Sequence, residues 1–445
     1  MDKKMIYVLG VVVIILVAIA SVYFIYNNGD EETDVPAGLD EAELKVYGNI
    51  DGNRVIDEND ANMIRQLIEN GATASEYKMA DANNDGVIDE ADLDVVNKVI
   101  AGESTTIWHV NQFDEDGDGN MDQPIVSTKF PITSAIALGT GNNFMVTYAL
   151  GIIDEIKGAT ISSSVDRGLY GDVYCDESKV VKLGTSSTSI TFEDGQAGSS
   201  NVIAEENVTA VIANNNRSNL ENEADFENAG IDVIRVAFAS ANPETMTHGV
   251  MLIGLLFQKV DKALQYVDFQ MKVLDTVNAA IDDVRGTVSA IASSMTGYIS
   301  VGGSDYKEYI ELAGGSYGMD GHDFGSTTSI KIVDYPEVYT YGFDKIIHFR
   351  TAFNYGQTDE TNQGYWDDYT SAFSDWEFAD TEQYITGGSL PTSLRVAYAA
   401  VAMYPDQISL ETIDALHMEF LEQFFPDSDL DFESMEFLLY SGNMS

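Results

Sequence analysis

Two stretches of the chain repeat one arrangement of oxygen-bearing side chains. The first places Asn49, Asp51, Asn53, Val55 and Asp60 at fixed offsets, and the second places Asp81, Asn83, Asp85, Val87 and Asp92 at the same offsets. Side-chain oxygens at alternate positions, a backbone carbonyl at Val55 or Val87 and a closing carboxylate give the spacing of an EF-type loop. Such a loop surrounds a hard cation of calcium size with about six to eight oxygens. Ile56 and Ile88 follow the carbonyl position in each loop and pair the loops across a small core. Loop two has Gly86 where the sharp turn falls, whereas loop one has Arg54, and its first ligand is the neutral Asn49. A third acidic loop offers Asp114, Asp116 and Asp118 but reaches Ile125 at its closing position. Its flanks, 106–110 and 125–128, alternate like strands, so a hairpin turn is favoured there over a cation. His109, His248, His322, His348 and His417 form no pair at helical spacing and no zinc signature, and read as structural, His322 lying in the glycine-rich stretch 314–325.

The elements that hold the two loops are short. Each loop runs into one amphipathic helix, 61–69 and 93–101, with Ile64, Leu67 and Ile68 or Val95, Val96 and Val99 as the apolar stripe. Upstream, Lys3 and Lys4 precede an apolar run from Met5 to Tyr26, long enough to cross a hydrocarbon core with the positive end inside. Ala18-Ile19-Ala20 offers a cleavage site, but Val22 to Tyr26 continues the apolar run past it, which favours an uncleaved membrane anchor. The acidic segment 30–34, followed by Pro36 and Gly38, is a solvated tether. Everything beyond it is expected outside the cytoplasm.

Composition limits the possibilities further. The 445 residues hold 23 Lys and Arg against 73 Asp and Glu, a net charge of −50 that repels a phosphate backbone and excludes nucleic acid as a partner. A hydrophobic fraction of 44% and an aromatic fraction of 10% supply enough apolar surface for two or three packed domains. The single cysteine, Cys175, allows no intrachain disulfide and lies far from any lipid-attachment position.

From Thr133 onward, short apolar runs alternate with helical patterns, which predicts an α/β domain with a mainly parallel sheet. Strands are expected at 134–138, 159–162, 208–212 and 232–236, with a helix at 144–150. Asn242-Pro243 is a helix start signal, the helix running to about Phe257. A second helix from 261 to 284 is long enough to span a domain. A further α/β pattern follows at 297–301, 306–312, 345–349 and 383–385, with a helix at 393–403. The region of Trp366 and Trp376 reads as a long loop or surface insertion.

The paired loops, with no entering helix and with Asp closing each, resemble a type I dockerin module over residues 45–103. That resemblance implies calcium in both loops and a cohesin domain as partner. Glu58, Asn59, Glu90 and Ala91 occupy the positions that select the cohesin in that family and depart from its small hydroxyl residues; a calcium-stapled spacer without a cohesin is the alternative. Residues 125–425 resemble the substrate-binding proteins of ABC transporters for iron-siderophores, haem and cobalamin. The likeness is carried by Ser134-Ala-Ile-Ala-Leu138, Tyr148-Ala-Leu-Gly151, Asn228-Ala-Gly-Ile-Asp-Val233, Leu252-Ile-Gly-Leu-Leu256 and Glu311-Leu-Ala-Gly-Gly315, in that order. It implies two Rossmann-like lobes joined by one long spine helix, no catalysis, and capture of an iron or cobalt chelate handed to an ABC permease. It also implies an acidic docking residue on each lobe, here Glu221 and Glu337. The expected boundaries are 1–28 anchor, 29–44 tether, 45–103 calcium module, 104–258 first lobe, 259–286 spine and 287–445 second lobe.

In parallel sheets the loops at the carboxyl ends of the strands carry the ligand. Arg167 and Arg217 in the first lobe and Arg350 in the second occupy such loops in a chain with few cations, and guanidinium pairs bidentately with carboxylate. Tyr170, Tyr298 and Tyr355 lie in equivalent loops and suit a flat ligand or iron. Two other functions are compatible with the residues: a dockerin-borne hydrolase, and a structural surface protein using calcium for adhesion. The chain has no G-x-S-x-G elbow and no zinc motif, so the hydrolase would need paired carboxylates in a cleft.

Overall fold

The computed structural model describes residues 42–114, 122–138, 141–160, 169, 172–174, 176, 178–184, 190, 200–216, 220, 222–301, 304–325, 328–350, 355–374, 381–428, 430–432 and 435–444. The expected anchor and residues 29–41 of the expected tether lie outside them, as do Cys175, Arg167, Tyr170, Arg217, Glu221, Asp116 and Asp118, whereas 42–44 of that tether are packed into the first unit, with Leu44 fully buried. Among the described residues no helix is long and apolar enough to cross a membrane. The chain divides into two compact units, Met1–Val110 and Asn111–Ser445.

In the first unit the two amphipathic helices form as α1, Glu58–Asn70, and α2, Glu90–Ala101. Both start three residues earlier than their apolar stripes suggest, because Asp57 and Asp89 act as N-caps. Each is closed by a capping box in which the loop's last carboxylate, Asp60 or Asp92, accepts from the cap's own N–H. Gly71 and Gly102, both left-handed, end the helices. Ala61, Ile64, Ala80, Ala82, Ile88, Leu93 and Val96 fill the core between them. Strand β1, Thr105–Val110, returns the chain onto its own start: Tyr47 N–H donates to the Trp108 carbonyl at 2.9 Å and Val110 N–H to the Lys45 carbonyl at 3.0 Å. The unit therefore extends seven residues beyond the boundary at 103.

The second unit opens with β2, Ile125–Phe130, and contains two parallel sheets. The first is built from β3, Ala135–Ala137, β4, Ile156–Thr160, β5, Val181–Gly184, β6, Ala210–Asn214, and β7, Asp232–Val236. Its spatial order is β5-β4-β3-β6-β7, with every described pair parallel. Helices α3, Gly141–Ala149, α4, Ser200–Glu206, and α5, Glu223–Asn228, connect these strands. The second sheet follows β8, Ser289–Ser293. Its order is β10 (Ser316–Tyr317), β8, β12 (Lys345–Arg350), β13 (Glu382–Gly387) and β14 (Leu438–Tyr440), between which β9, Tyr298–Ser300, and β11, Ser329–Lys331, form a small antiparallel pair. All pairs of that sheet are parallel except β13 with β14.

Between the sheets lie α6, Pro243–Leu256, and α7, Val260–Ile281. The Asn242 carboxamide caps α6 by accepting from Glu244 N–H at 2.9 Å, and α6 is buried on nearly every side. The 22 residues of α7 span about 33 Å at the helical rise. The helix packs on α6 along one side and on α10, Thr392–Met403, along another. Gly254 permits the first contact, since a Cβ there would overlap the Ala263 side chain. The helices α8, Asp305–Leu312, α9, Asp359–Ser374, and α11, Leu410–Phe424, complete the second lobe. The region expected as a loop around Trp366 is thus the sixteen-residue helix α9, which buries Tyr369 and Phe373 against the sheet's carboxyl-end face.

Candidate functional site

Backbone N–H groups order the oxygens of the calcium-type loops. In loop two, Asp81 accepts from Asp85 N–H and Gly86 N–H at 2.9 Å each, Asp85 from Val87 N–H at 2.9 Å, and Asp92 from Asn83 N–H at 3.0 Å. In loop one, Asn53 accepts from Val55 N–H at 2.6 Å and Asp60 from Ile50 N–H at 2.8 Å. Gly86 takes a φ of +91°, but Arg54 is not left-handed and turns outward to pair with Glu43 at 2.5 Å. Asn49 is fully buried; its amide nitrogen donates to the Leu44 and Asn53 carbonyls, which fixes the amide orientation and leaves Oδ1 buried with no hydrogen-bond partner. Burial pushes the Asp60 carboxyl up to about 6, with the nearby Asp51 charge adding to the effect. Burial likewise raises Asp92, together with the charges of Asp81 and Asp85. Among the described residues no three Asp, Glu, His or Cys side chains gather into a metal cluster, so each loop depends on its amide and backbone oxygens as well.

In both sheets the strand order reverses beside the first strand, and there the connections leave in opposite directions and open a crevice at the carboxyl ends. In the second lobe this switch point falls between β8 and β12, whose ends carry Ser293 and Arg350. The Arg350 guanidinium lies 4.0 Å above the Tyr365 ring and 5.3 Å from that of Tyr369, both on α9. Its Nε is buried without a hydrogen-bond partner, and among the described residues no carboxylate pairs with it. Tyr369 donates its hydroxyl to the Ser294 carbonyl at 3.2 Å, and the neighbouring Met295 is 49% exposed. In the first lobe the switch point falls between β3 and β6, beside Leu138 and Asn214.

The two lobes meet where β7 and β13 end. The Tyr309 hydroxyl of α8 donates to the Ala239 carbonyl, and Thr392 Oγ1 to that of Phe238 at 3.5 Å. Asp305, at the start of α8, is open to water yet surrounded on most sides by protein. That desolvation, reinforced by Glu308 and opposed by Arg395, pushes its carboxyl up to about 6. Tyr306, Tyr309 and Phe349 form an aromatic group behind it, with ring centroids 5.5 to 5.7 Å apart.

The candidate ligands from the sequence separate here. Arg350 stands at the switch point, and Tyr298 follows the Met295 turn and begins β9, half-buried. Tyr355 does not face a cleft: it is 6% exposed, and its hydroxyl is bound to His417 Nε2 at 2.7 Å inside a cluster with Phe432 and Phe437. Glu337 is exposed on a short 3-10 turn. Asp114 is buried, its N–H donating to the Asn215 carbonyl at 3.1 Å, so it belongs to the packed edge of the first lobe and not to an open loop.

Three of the histidines, His109, His348 and His417, are buried in the core. Burial lowers His417 to about 3 and both His109 and His348 to about 4, so all three are neutral. His417 donates from Nδ1 to the Tyr398 hydroxyl, which itself donates to Asp414, and accepts at Nε2 from Tyr355; this chain fixes the tautomer. Tyr365, Tyr369, Asp305, Tyr309 and Arg395 were not singled out from the sequence. The one available signal was Arg395, a lone charge in the apolar helix 392–403.

Residues 47–101 match the dockerin type I domain family. No curated protein matches the chain. Among solved structures, the TroA-like periplasmic binding protein FepB from Veillonella parvula is similar at a TM-score of 0.54 and 16% identity, covering 73% of this chain and 98% of its own. Helicobacter pylori CeuE in a nickel–histidine complex gives 0.47 at 12%, covering 68% and 94%. A periplasmic heme binding protein from Pseudomonas aeruginosa gives 0.44 at 11%, covering 62% and 94%. The similarity to FepB shows that the second unit has the fold of the TroA-like periplasmic binding proteins.

Proposed function

We propose that the chain is an extracytoplasmic substrate-binding protein of an ABC uptake transporter, which captures a metal chelate between its lobes and releases it unchanged to the permease. The observation that carries this reading is the pair of parallel sheets on one 22-residue helix, with the carboxyl ends of β7 and β13 turned toward a common junction. Open α/β sheets bind ligands at such edges. Arg350 supports an anionic ligand with a flat face, because its guanidinium rests on tyrosine rings without an acidic partner among the described residues. Haem, a flat macrocycle carrying carboxylates, has that chemistry, and ferric catecholates share its negative charge. Arg167, Arg217, Tyr170 and Tyr298 complete the proposed ligand set, and Glu221 and Glu337 the permease contacts. The apolar run 5–26 holds the protein at the membrane.

The first unit is proposed to bind calcium in both loops and to present α1 and α2 to a cohesin-type domain. The orphaned Asn49 Oδ1 and the crowding of like charge at Asp60 and Asp92 suit a hard cation, which would supply the missing partner and offset the repulsion. When bound, the cation would tie each loop to the first turn of its helix. Asn49, Asp51, Asn53, Val55 and Asp60 would hold one ion, and Asp81, Asn83, Asp85, Val87 and Asp92 the other.

A panel of haem, ferric catecholate, ferric hydroxamate and cobalamin, titrated into the purified protein with tryptophan fluorescence and calorimetry, tests the receptor reading. At least one should bind, and Arg350→Ala should weaken it about tenfold or more, the loss expected for about 1.4 kcal/mol. No binding across the panel would refute it.

A further inference from the structure

The start of α10 contains a buried set of hydrogen-bond donors with nothing to receive them. Arg395 is 2% exposed; its Nε donates to the Leu390 carbonyl at 2.6 Å and its Nη1 to the Tyr309 hydroxyl at 2.6 Å. These contacts fold the side chain back to the amino end of its own helix and leave Nη2 buried and unpartnered. Across from it on α7, Gln270 is fully buried. Its Oε1 accepts from Ser393 N–H at 3.1 Å, so its Nε2 is the free end of the amide, and that nitrogen also has no partner. Ser393 Oγ, 1% exposed, is the third such atom. The helix begins at Pro391 without a side-chain cap, so its positive end adds to the field.

Charge makes the same demand as hydrogen bonding. Among the described residues no carboxylate lies within ion-pairing distance of Arg395. A buried guanidinium without a counter-charge is strongly unfavourable. Asp305 feels the Arg395 charge but makes no ion pair with it, and water accepting from these donors would bring no counter-charge into contact.

We propose that a small monovalent anion, either a free halide or a carboxylate group, binds between α7 and α10 on Arg395 Nη2, Gln270 Nε2 and Ser393 Oγ. The site lies beside the contact of Tyr309 with Ala239, so the anion locks the junction of the two lobes. It stands on the geometry of these two helices and does not depend on the receptor reading.

The test is thermal unfolding of the purified protein at constant ionic strength, with a bulky sulfonate anion replaced stepwise by chloride, bromide or acetate. A saturable rise in Tm is expected. A rise with halides alone identifies a free ion, and one with acetate alone a carboxylate subsite. Arg395→Gln should abolish the saturable part; an unchanged Tm with all three anions, or the same rise in Arg395→Gln, would overturn the proposal. Should that variant fail to fold, crystals of the unaltered protein soaked in bromide and in acetate decide the matter. Anomalous density or a bound acetate at Nη2 is the expected result, and water alone in both soaks overturns it.

Discussion

Removing the Glu223 carboxylate should destabilise the second unit far more than an exposed ion pair could. Its partner Arg235 is fully buried on β7, and both Nε and Nη2 donate to one Glu223 oxygen, at 2.9 and 2.7 Å. Nη1 donates to the carbonyls of Asn214 and Asn216 at 2.9 and 2.8 Å, and the guanidinium lies 4.0 Å above the Phe113 ring. Glu223→Ala would leave all of this in place except the counter-charge. Breaking a buried pair from one side costs about 3 to 5 kcal/mol. The three carbonyl acceptors remain and the Glu223 side chain is 17% exposed, so water can enter; both favour the lower end, about 3 kcal/mol. In a unit of this length that corresponds to a Tm lowered by roughly 5 °C.

Urea unfolding followed by circular dichroism would measure it, with two further variants. Glu223→Gln keeps an acceptor and should lose about half as much. Arg235→Met combined with Glu223→Leu removes the desolvated charge but leaves the Asn214, Asn216 and Leu220 carbonyls without their donor, so it should not recover the loss. If Glu223→Ala lies within about 0.5 kcal/mol of the unaltered protein, the value of an exposed pair, the reasoning is wrong.

Two other perturbations have worked signs. The folded pKa values of His348, about 4, and His417, about 3, lie below the ordinary 6.5, so their contribution is complete above 6.5 and is lost as pH falls toward those values. Each gives a slope of about 1.4 kcal/mol per pH unit, and Asp305, raised to about 6, opposes one of them between about 6 and 4. His417→Gln should flatten the acid limb by one such slope, and an unchanged limb would rule out a buried neutral imidazole. In the first unit, a calcium concentration a hundredfold above Kd should add about 2.7 kcal/mol, removed by chelator and mimicked by Asp85→Ala; calorimetry insensitive to both excludes the calcium loops.

The parts of the fold that could be read from sequence are those fixed by local chemistry. Asp57 and Asp89 announce their helices, Asn242-Pro243 starts α6, and the stripe Ala263, Val267, Gln270, Leu274, Val277 and Ile281 marks the buried side of α7. Strand β8 escaped notice because Ser289-Ala-Ile-Ala-Ser293 has no long apolar run; its small side chains suit a central strand between β10 and β12. Strand β4 begins at Ile156, earlier than expected, because Gly158 lies inside it, where a Cβ would collide with Leu183. Helix α9 hid in an acidic, tyrosine-rich stretch whose stabilising contacts, Arg350 on Tyr365 and His348 against Tyr369, come from a distant strand. Tyr355 was assigned to a loop by position alone, whereas its partner His417 lies 62 residues away and draws it into the core.

Both lobes are packed closely on α7, and this limits how they can move. Toward α6 the contact is close-packed, with Gly254 against Ala263 and no room for a methyl group. Opening such a seam leaves voids whose lost contacts nothing replaces. Toward the second lobe the packing is equally close, with Gly314 against Ile281 and the Phe420 and Phe424 rings against Tyr266 and Phe269, and Ser393 N–H on Gln270 Oε1 is a polar contact within it. Movement of either lobe away from α7 is therefore opposed by the same loss of packing. An anion held by Arg395 beside the contact of Tyr309 with Ala239 would add to that restraint, because displacing α10 would separate the guanidinium from its counter-charge while both remained buried.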